Sequence, residues 1–436
     1  MLAAQAQLRL AVPLLVGGTT VVSMALAVLL YLGERGRVGW SGTVILLVAL
    51  LLRLLFLAAP PQLSDDLYRY LWDGQQLLRG ANPYAAAPAV ASVPAALDEL
   101  RRFVNHSELV TIYPPAAQLL FAAGSLLGWG VLGMKVFLVF LDLGSCALLL
   151  RLLDRLALPR WRAVLYAWHP LPVLEIASSG HIDGAGLLFV LLSCYWLLGR
   201  EDRGPGAARC ALAGAALGWA GWVKLFPFAF LPGFLCLVPR GRRLAFLGGV
   251  GGVSTVLLLL FHHHLGNLAD TLLVYAARWE FAGLGFTVLR NLTGSGVAAR
   301  GVLAGVFVAV AAGLLWRLHG ELRGLSPRER ACDGPGRSLF RFCAGVALAF
   351  LLLTPTLHPW YALSLAVFLP FAAGPASLVL CGAVFLTYGV LIPYALLGQW
   401  VENPVVTAAV CLAPVAAGLI PWGLRHWAGA RRAQPT

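Results

Sequence analysis

The sequence predicts an all-α integral membrane protein: a polytopic bundle of about 11–14 transmembrane helices with an interfacial helix in its first outward loop. Three observations carry this prediction. The 436 residues are 60% hydrophobic and only 12% charged, too little polar surface to coat a soluble globule of that size. Apolar runs of about 18–25 residues recur along the whole chain, the length of a helical crossing and twice that of a barrel strand. Arginines gather in short connectors between those runs, where the positive-inside rule places them, so the formal net charge of +13 reports topology and not nucleic-acid binding. A single domain over residues 1–436 is expected. The eight cysteines fall mostly inside apolar runs with no CxxC pair, and read as small buried hydrophobes.

The first spans fall at about 8–32 and 38–59, the first being too long for a signal peptide. Arg35 and Arg37 put their connection in the cytoplasm, so the polar excursion over 60–112 faces outward. The short apolar piece "IYPPAAQLLF" that follows opens on a Pro-Pro pair and is expected to be re-entrant; the return is made at about 132–153. Further spans near 162–179, 184–199, 209–222, 225–238, 243–264, 297–318, 339–357, 360–373, 374–393 and 404–424 leave every basic connector on one side, including a cytoplasmic loop at 319–338.

The opposite face collects a different chemistry. Asp65, Asp66, Arg69, Asp73, His181, Asp183, Lys224, His262 to His264, Arg278, Glu280, Arg290 and His358 all fall in outward turns. In "SDDLYRYLWDG", Ser64 is a good N-cap and the helix should run to about Arg79, with Leu67, Leu71 and Leu78 as its apolar stripe. Asp66, Tyr70 and Asp73 then share a face, while Asp65 and Arg69 form an i,i+4 pair beside it. Aspartates in a first helical turn also favour the helix dipole, which is a purely structural reason for the pair.

"WHPLPVLEIASSGHIDG" places His169 and Glu175 inside a span and His181 and Asp183 at its outer end. His169 can serve a carbonyl freed by Pro170, whereas His181 and Asp183 share a compartment with Asp66. Lys224, in "GWVKLFPF", can snorkel to the interface or neutralise a phosphate. The three adjacent histidines point in different directions on a helix, and no metal is expected there. In "LHPWYAL", His358 can hydrogen-bond a phosphate or hydroxyl, while Trp360 and Tyr361 can form an interfacial belt or stack on a sugar.

In this order, "SDDLYRYLWDG" with "ANPY", "YPPAAQLLF", "WHPLPVLEIASSGHIDG", "VKLFPFAFLP" and "LHPWYAL" resemble the polytopic C-type glycosyltransferases that use polyprenyl-phosphate sugars. The likeness is to bacterial polyprenyl-phosphate-mannose-dependent α-mannosyltransferases and, more distantly, to GPI-anchor mannosyltransferase I. It implies a donor lipid held in a groove open to the bilayer, a lipid or glycan acceptor, and an acid of the first outward loop acting at that acceptor. The shared acid falls on Asp66; Ser64 stands where the first acid of the GPI enzyme's DxD pattern would align, and no cofactor beyond the donor itself is expected.

The chemistry of sugar transfer assigns the remaining roles. A carboxylate must deprotonate the acceptor hydroxyl and a cation must receive the departing phosphate. Asp66 is the expected base, with Asp65 as its catalytic neighbour and Asp73, Arg69 and Tyr70 orienting the acceptor. Lys224, His358, His181, Asp183, Trp360 and Tyr361 are expected to bind the donor's phosphate and sugar. In-line attack would invert the anomeric carbon. The expected location is the plasma (inner) membrane, with the site facing the extracytoplasmic side. A flippase for a lipid-linked sugar would use the same acids and cation as a path, and a ligase with a polyprenyl-diphosphate donor would need a stronger cationic grip.

Overall fold

The computed structural model describes residues 7–198, 204–326 and 334–432, and among these the chain is helical, its only β contacts being isolated bridges from Phe281 and Ala282 to Thr356. Membrane exposure is written on the outer faces. Met24, Leu55, Phe140, Val308 and Trp316 all stand open, an arrangement that lipid tolerates and water does not. Among the described residues six helices are long and apolar enough to cross a bilayer, or seven if a bent pair counts as one, and three shorter apolar helices accompany them. That is fewer than the expected 11–14, because several expected crossings are broken. Pro172–Ser178 is a π-helical stretch set at 120° to Asp183–Leu197, and the stretches 225–238 and 360–373 are split by 3₁₀ turns around Pro227 and Pro359. The 319–338 connector is also shorter than expected, since helices run to Gly324 and begin again at Gly334. Residues 327–333 of it, and 199–203 of an earlier connector, lie outside the described residues.

The first two apolar helices are α1 (Val12–Glu34), long enough to cross, and the shorter α2 (Gly42–Leu57), capped by the Ser41 hydroxyl, which accepts from the Val44 N–H. The interfacial helix α3 (Asp66–Leu78) begins one residue later than the serine cap predicts. Ser64 Oγ accepts from the Asp66 N–H and so closes a turn before the helix. After the short α4 (Ala95–Arg101) comes α5 (Pro115–Ser125), only 11 residues and buried over most of its length, too short to cross. α6 (Gly130–Arg155) makes the return.

Two close approaches seat α3. A Cβ at Gly74 would run into the Phe121 carbonyl of α5, so these helices meet backbone to backbone. Gly180, at φ +77° in the bend between Pro172–Ser178 and Asp183–Leu197, has no room for a Cβ because Leu67 of α3 fills that space. The bend that presents His181 is therefore packed directly under the helix that presents Asp66.

Inside the bundle lies a buried ion pair that no sequence motif announces. Arg53 of α2 donates through Nε to Asp142 of α6 at 2.7 Å and through Nη1 to the Ala167 carbonyl at 2.6 Å, while Tyr166 donates to the other Asp142 oxygen at 2.6 Å. Both side chains are fully buried. Lys135 caps the α2 C-terminus, donating to the Phe56 and Ala59 carbonyls at 2.9 and 2.5 Å. Removing one member leaves the other charge uncompensated, so Arg53→Ala should lower stability by about 3–5 kcal/mol, read from denaturant unfolding in detergent. The paired change Arg53→Met with Asp142→Leu should recover most of that loss, and a single variant as stable as wild type would refute the assignment.

Candidate active site

Asp66 sits at the first turn of α3, half-buried, with both carboxylate oxygens engaged. Asn105 Nδ2 donates to Oδ1 at 2.8 Å and Tyr113 Oη donates to Oδ2 at 3.1 Å. Burial alone would push this carboxyl up. The neighbouring His181, the Asn105 hydrogen bond and Lys224 outweigh it and hold Asp66 below the ordinary aspartate value of 3.8. Burial keeps the Tyr113 phenol well above its usual range, so it remains a donor to the carboxylate.

His181 is fully buried at the Gly180 bend. Its Nδ1 lies 3.0 Å from the Glu175 carbonyl oxygen and 3.2 Å from Glu175 Oε2, while Tyr388 Oη donates to both Glu175 carboxylate oxygens at 2.9 and 2.8 Å. With Nδ1 committed, Nε2 is a buried polar atom without a hydrogen-bond partner. Two residues further on, Asp183 opens the next helix and its Oδ1 accepts from Lys224 Nζ at 2.8 Å; Asp183 Oδ2 is buried and unpaired. Lys224 also stands 4.9 Å from the centre of the Tyr361 ring, a cation–π distance. Beside them the Tyr70 ring stacks on Phe121 at 4.3 Å, and its hydroxyl interacts with Tyr113 and the Ile182 backbone. Buried polar groups are normally satisfied, and the two unpaired atoms, His181 Nε2 and Asp183 Oδ2, close to the Lys224 ammonium mark a place prepared for a polar ligand.

An aromatic stack walls this cluster. His181, Trp360, His358 and Phe281 follow one another at centroid spacings of 4.1, 4.3 and 4.9 Å with small interplanar angles. The wall is pinned by backbone: the Phe281 N–H donates to the Pro355 carbonyl at 3.0 Å, and the Leu357 N–H to the Phe281 carbonyl at 2.7 Å. Thr356 Oγ1 adds a bond to the Trp279 carbonyl at 3.0 Å. Burial holds the His358 imidazole down at about 3, so it meets neutral pH uncharged. It can hydrogen-bond a ligand but supplies no positive charge.

The fold therefore brings together Asp66, Tyr70, His181, Asp183, Lys224, His358, Trp360 and Tyr361, which come from four separate stretches of chain. It does not bring in the others. Asp65 is not paired with Arg69; it occupies the half-helical cap position, and its carboxylate accepts from Arg9 Nη2 at 2.6 Å. Arg69 instead pairs with Asp73 at 3.4 Å and donates to the Leu109 carbonyl at 2.6 Å, holding the loop that carries Asn105. Asp73 also accepts from Gln118 at 3.2 Å, and its carboxyl is pushed up by burial despite Arg69. These three residues hold the loop and helix in place rather than facing the cluster. Trp360 stacks on two imidazoles, while Tyr361 carries Lys224 over its ring at 4.9 Å and holds its hydroxyl 2.5 Å from that of Tyr275.

Asn105, Tyr113, Glu175 and Tyr388 join the site by contacts that the sequence analysis did not foresee. The signals were thin. Asn105 stands out only as part of a sequon, Tyr113 only as the residue before Pro-Pro, Glu175 only as an acid in an apolar run, and Tyr388 not at all. Among the described residues no three His, Cys, Asp or Glu side chains are grouped to hold a metal ion.

Comparison with known proteins adds the chemistry. The family model described as glycosyltransferase family 87 matches residues 111–333, just over half of the chain. No curated relative and no solved structure matches it. The matched segment contains Tyr113, Glu175, His181, Asp183 and Lys224, whereas Asp66 and His358 reach the same cluster from outside it. With a family match over that half and a bundle of membrane-length helices around the cluster, the chain belongs to glycosyltransferase family 87 and is a membrane glycosyltransferase.

Proposed function

We propose that this glycosyltransferase moves a sugar, most simply mannose, from a polyprenyl monophosphate to a lipid or glycan acceptor at the extracytoplasmic face of the plasma membrane. One observation carries the reading: a doubly hydrogen-bonded carboxylate, Asp66, on an amphipathic helix shares a partly buried cluster with a single ammonium, Lys224. The acceptor hydroxyl oxygen attacks the anomeric carbon from the side opposite the phosphate. Its proton passes to Asp66, the bond between the anomeric carbon and the phosphate oxygen breaks, and that electron pair leaves on the lipid phosphate. Lys224 has three donors, of which Asp183 takes one, leaving the rest to meet the developing charge. Attack in line inverts the anomeric configuration. Neutral His358 and the unpaired Nε2 of His181 are placed to bond the donor's oxygens.

The low proton affinity of Asp66 fits a base that must be ionised before substrate arrives. An incoming phosphate competes for the Lys224 ammonium that helps to depress it, and thereby raises its proton affinity when the proton has to be taken. The pH profile should show this. In the free enzyme the acid limb of kcat/KM should lie below pH 3.8, while the limb of kcat, set in the substrate complex, should lie higher. A kcat/KM limb in the histidine range, near about 6.5, would contradict the assignment.

The donor class is tested by competition in membranes carrying the protein. Unlabelled polyprenyl monophosphate should inhibit transfer from labelled polyprenyl-phosphate mannose, and the diphosphate should compete poorly, because among the described residues the cation bonded into the cluster is the Lys224 ammonium and no arginine is bonded there. Stronger competition by the diphosphate would replace this reading with that of a diphosphate-donor ligase.

A further inference from the structure

A cavity lies at the far end of the bundle from the Asp66 cluster. The helix Gly334–Leu353 carries Arg337 and Arg341 in its first turns and leads into the His358 segment at its other end, a length of about 30 Å. Beside those arginines opens a cleft of about 450 Å³ lined by Arg162, Arg317, Arg337 and Arg341 above, and by Leu314, Leu348 and Phe371 below. Among the described lining residues Glu321 is the one acid, bonded to Arg317 at 3.0 Å and to Arg341 at 2.8 Å. Arg162 is largely buried, reaches Glu34 only at 3.5 Å, and keeps its Nε without a hydrogen-bond partner.

Topology accounts for arginines in connectors, but it does not require that they converge. Here the four come from three separate parts of the chain, around 162, 317 and 337–341, and meet over one cavity. Arginine's planar fork suits phosphate oxygens, and the cleft continues from that polar rim onto an apolar wall between two membrane-spanning helices. A free anion would leave the wall unused, and an apolar molecule would leave the Arg162 Nε without a partner and Arg317 and Arg341 sharing the single Glu321 carboxylate. The complementary ligand has an anionic phosphate at one end and hydrocarbon at the other.

We infer that this cleft is a binding site for an anionic glycerophospholipid of the leaflet opposite the Asp66 cluster, with its phosphate among Arg162, Arg317 and Arg341 and its acyl chains along Leu314 and Leu348. Basic pockets between helices at this depth bind anionic head groups on the same principle. The site is independent of the donor proposed above.

Native mass spectrometry of the full chain, released from micelles containing equal phosphatidylglycerol and phosphatidylcholine, tests it. Wild-type protein should retain phosphatidylglycerol over phosphatidylcholine by about tenfold or more, and excess inorganic phosphate should not displace it. Arg162→Gln with Arg341→Gln should lose that preference, while Arg240→Gln with Arg242→Gln, exposed and outside the cleft, should keep it. Leu348→Trp, which fills the wall and spares the arginines, should also lose it, and serves if the double arginine variant does not fold. Equal retention of the two lipids by wild type, equal loss in the Arg240/Arg242 control, or displacement by phosphate alone would overturn the inference.

Discussion

Asp66→Asn should leave the protein folded and lower sugar transfer by about 10²–10⁴-fold, the usual contribution of a positioned general base. Asparagine matches aspartate in shape and can still accept from Asn105 or Tyr113 through its one carbonyl oxygen, so the loss isolates proton acceptance from packing. Under the proposed mechanism the fall appears in kcat, because the acceptor can still dock. Asp65→Asn and Asp73→Asn discriminate further. Asp65 faces Arg9 at 37% side-chain exposure, and its replacement should change transfer little. Asp73 is buried against Arg69 and Gln118, so its replacement should act on stability and loop placement before chemistry. Near wild-type transfer by Asp66→Asn, measured in reconstituted membranes, would remove Asp66 from the base role.

Lys224→Ala should cost about 10²–10³-fold in kcat, comparable to removing one donor from a site of developing negative charge, and should also raise KM for the donor lipid. Part of any loss would come from Asp183, whose carboxylate would be left without its ammonium. The pair Lys224→Met with Asp183→Asn removes that complication. If Lys224 serves the phosphate, the pair remains as impaired as Lys224→Ala; if the lysine only satisfies Asp183, the pair recovers. Lys224→Arg should retain intermediate activity, since the charge survives while its geometry changes. Unchanged donor binding in Lys224→Ala would remove the phosphate role.

Much of the architecture was legible because lipid imposes strong rules. Apolar length marked the long helices, and the leucine stripe marked the buried face of α3, where Leu67 and Leu71 pack into the core. Ionisable groups in apolar surroundings pointed to His181, Asp183 and Lys224, and those three do meet Asp66. Helix-local rules were less secure at boundaries. The spacing of Asp65 and Arg69 fits an i,i+4 pair only if both residues are helical; Asp65 is the cap, and the same rule operates one turn later between Arg69 and Asp73. Trp360 and Tyr361 stood beside His358 in sequence, but their ring faces were decided by His181 and Lys224, far away in the chain. Tyr388 was invisible for the same reason, since only the folded bundle brings its hydroxyl to Glu175.

The central claim is that the Asp66 and Lys224 cluster carries out glycosyl transfer from a lipid monophosphate with inversion. Its most direct test is a single-turnover reaction of the purified protein in proteoliposomes, with β-linked polyprenyl-phosphate mannose labelled at the sugar and an extracted lipid or glycan acceptor. The account predicts that the label moves onto the acceptor in an α-linkage and that Asp66→Asn slows the transfer by about 10²–10⁴-fold. Label that crosses the bilayer still attached to its polyprenyl phosphate, or a product that keeps the β configuration, would contradict it.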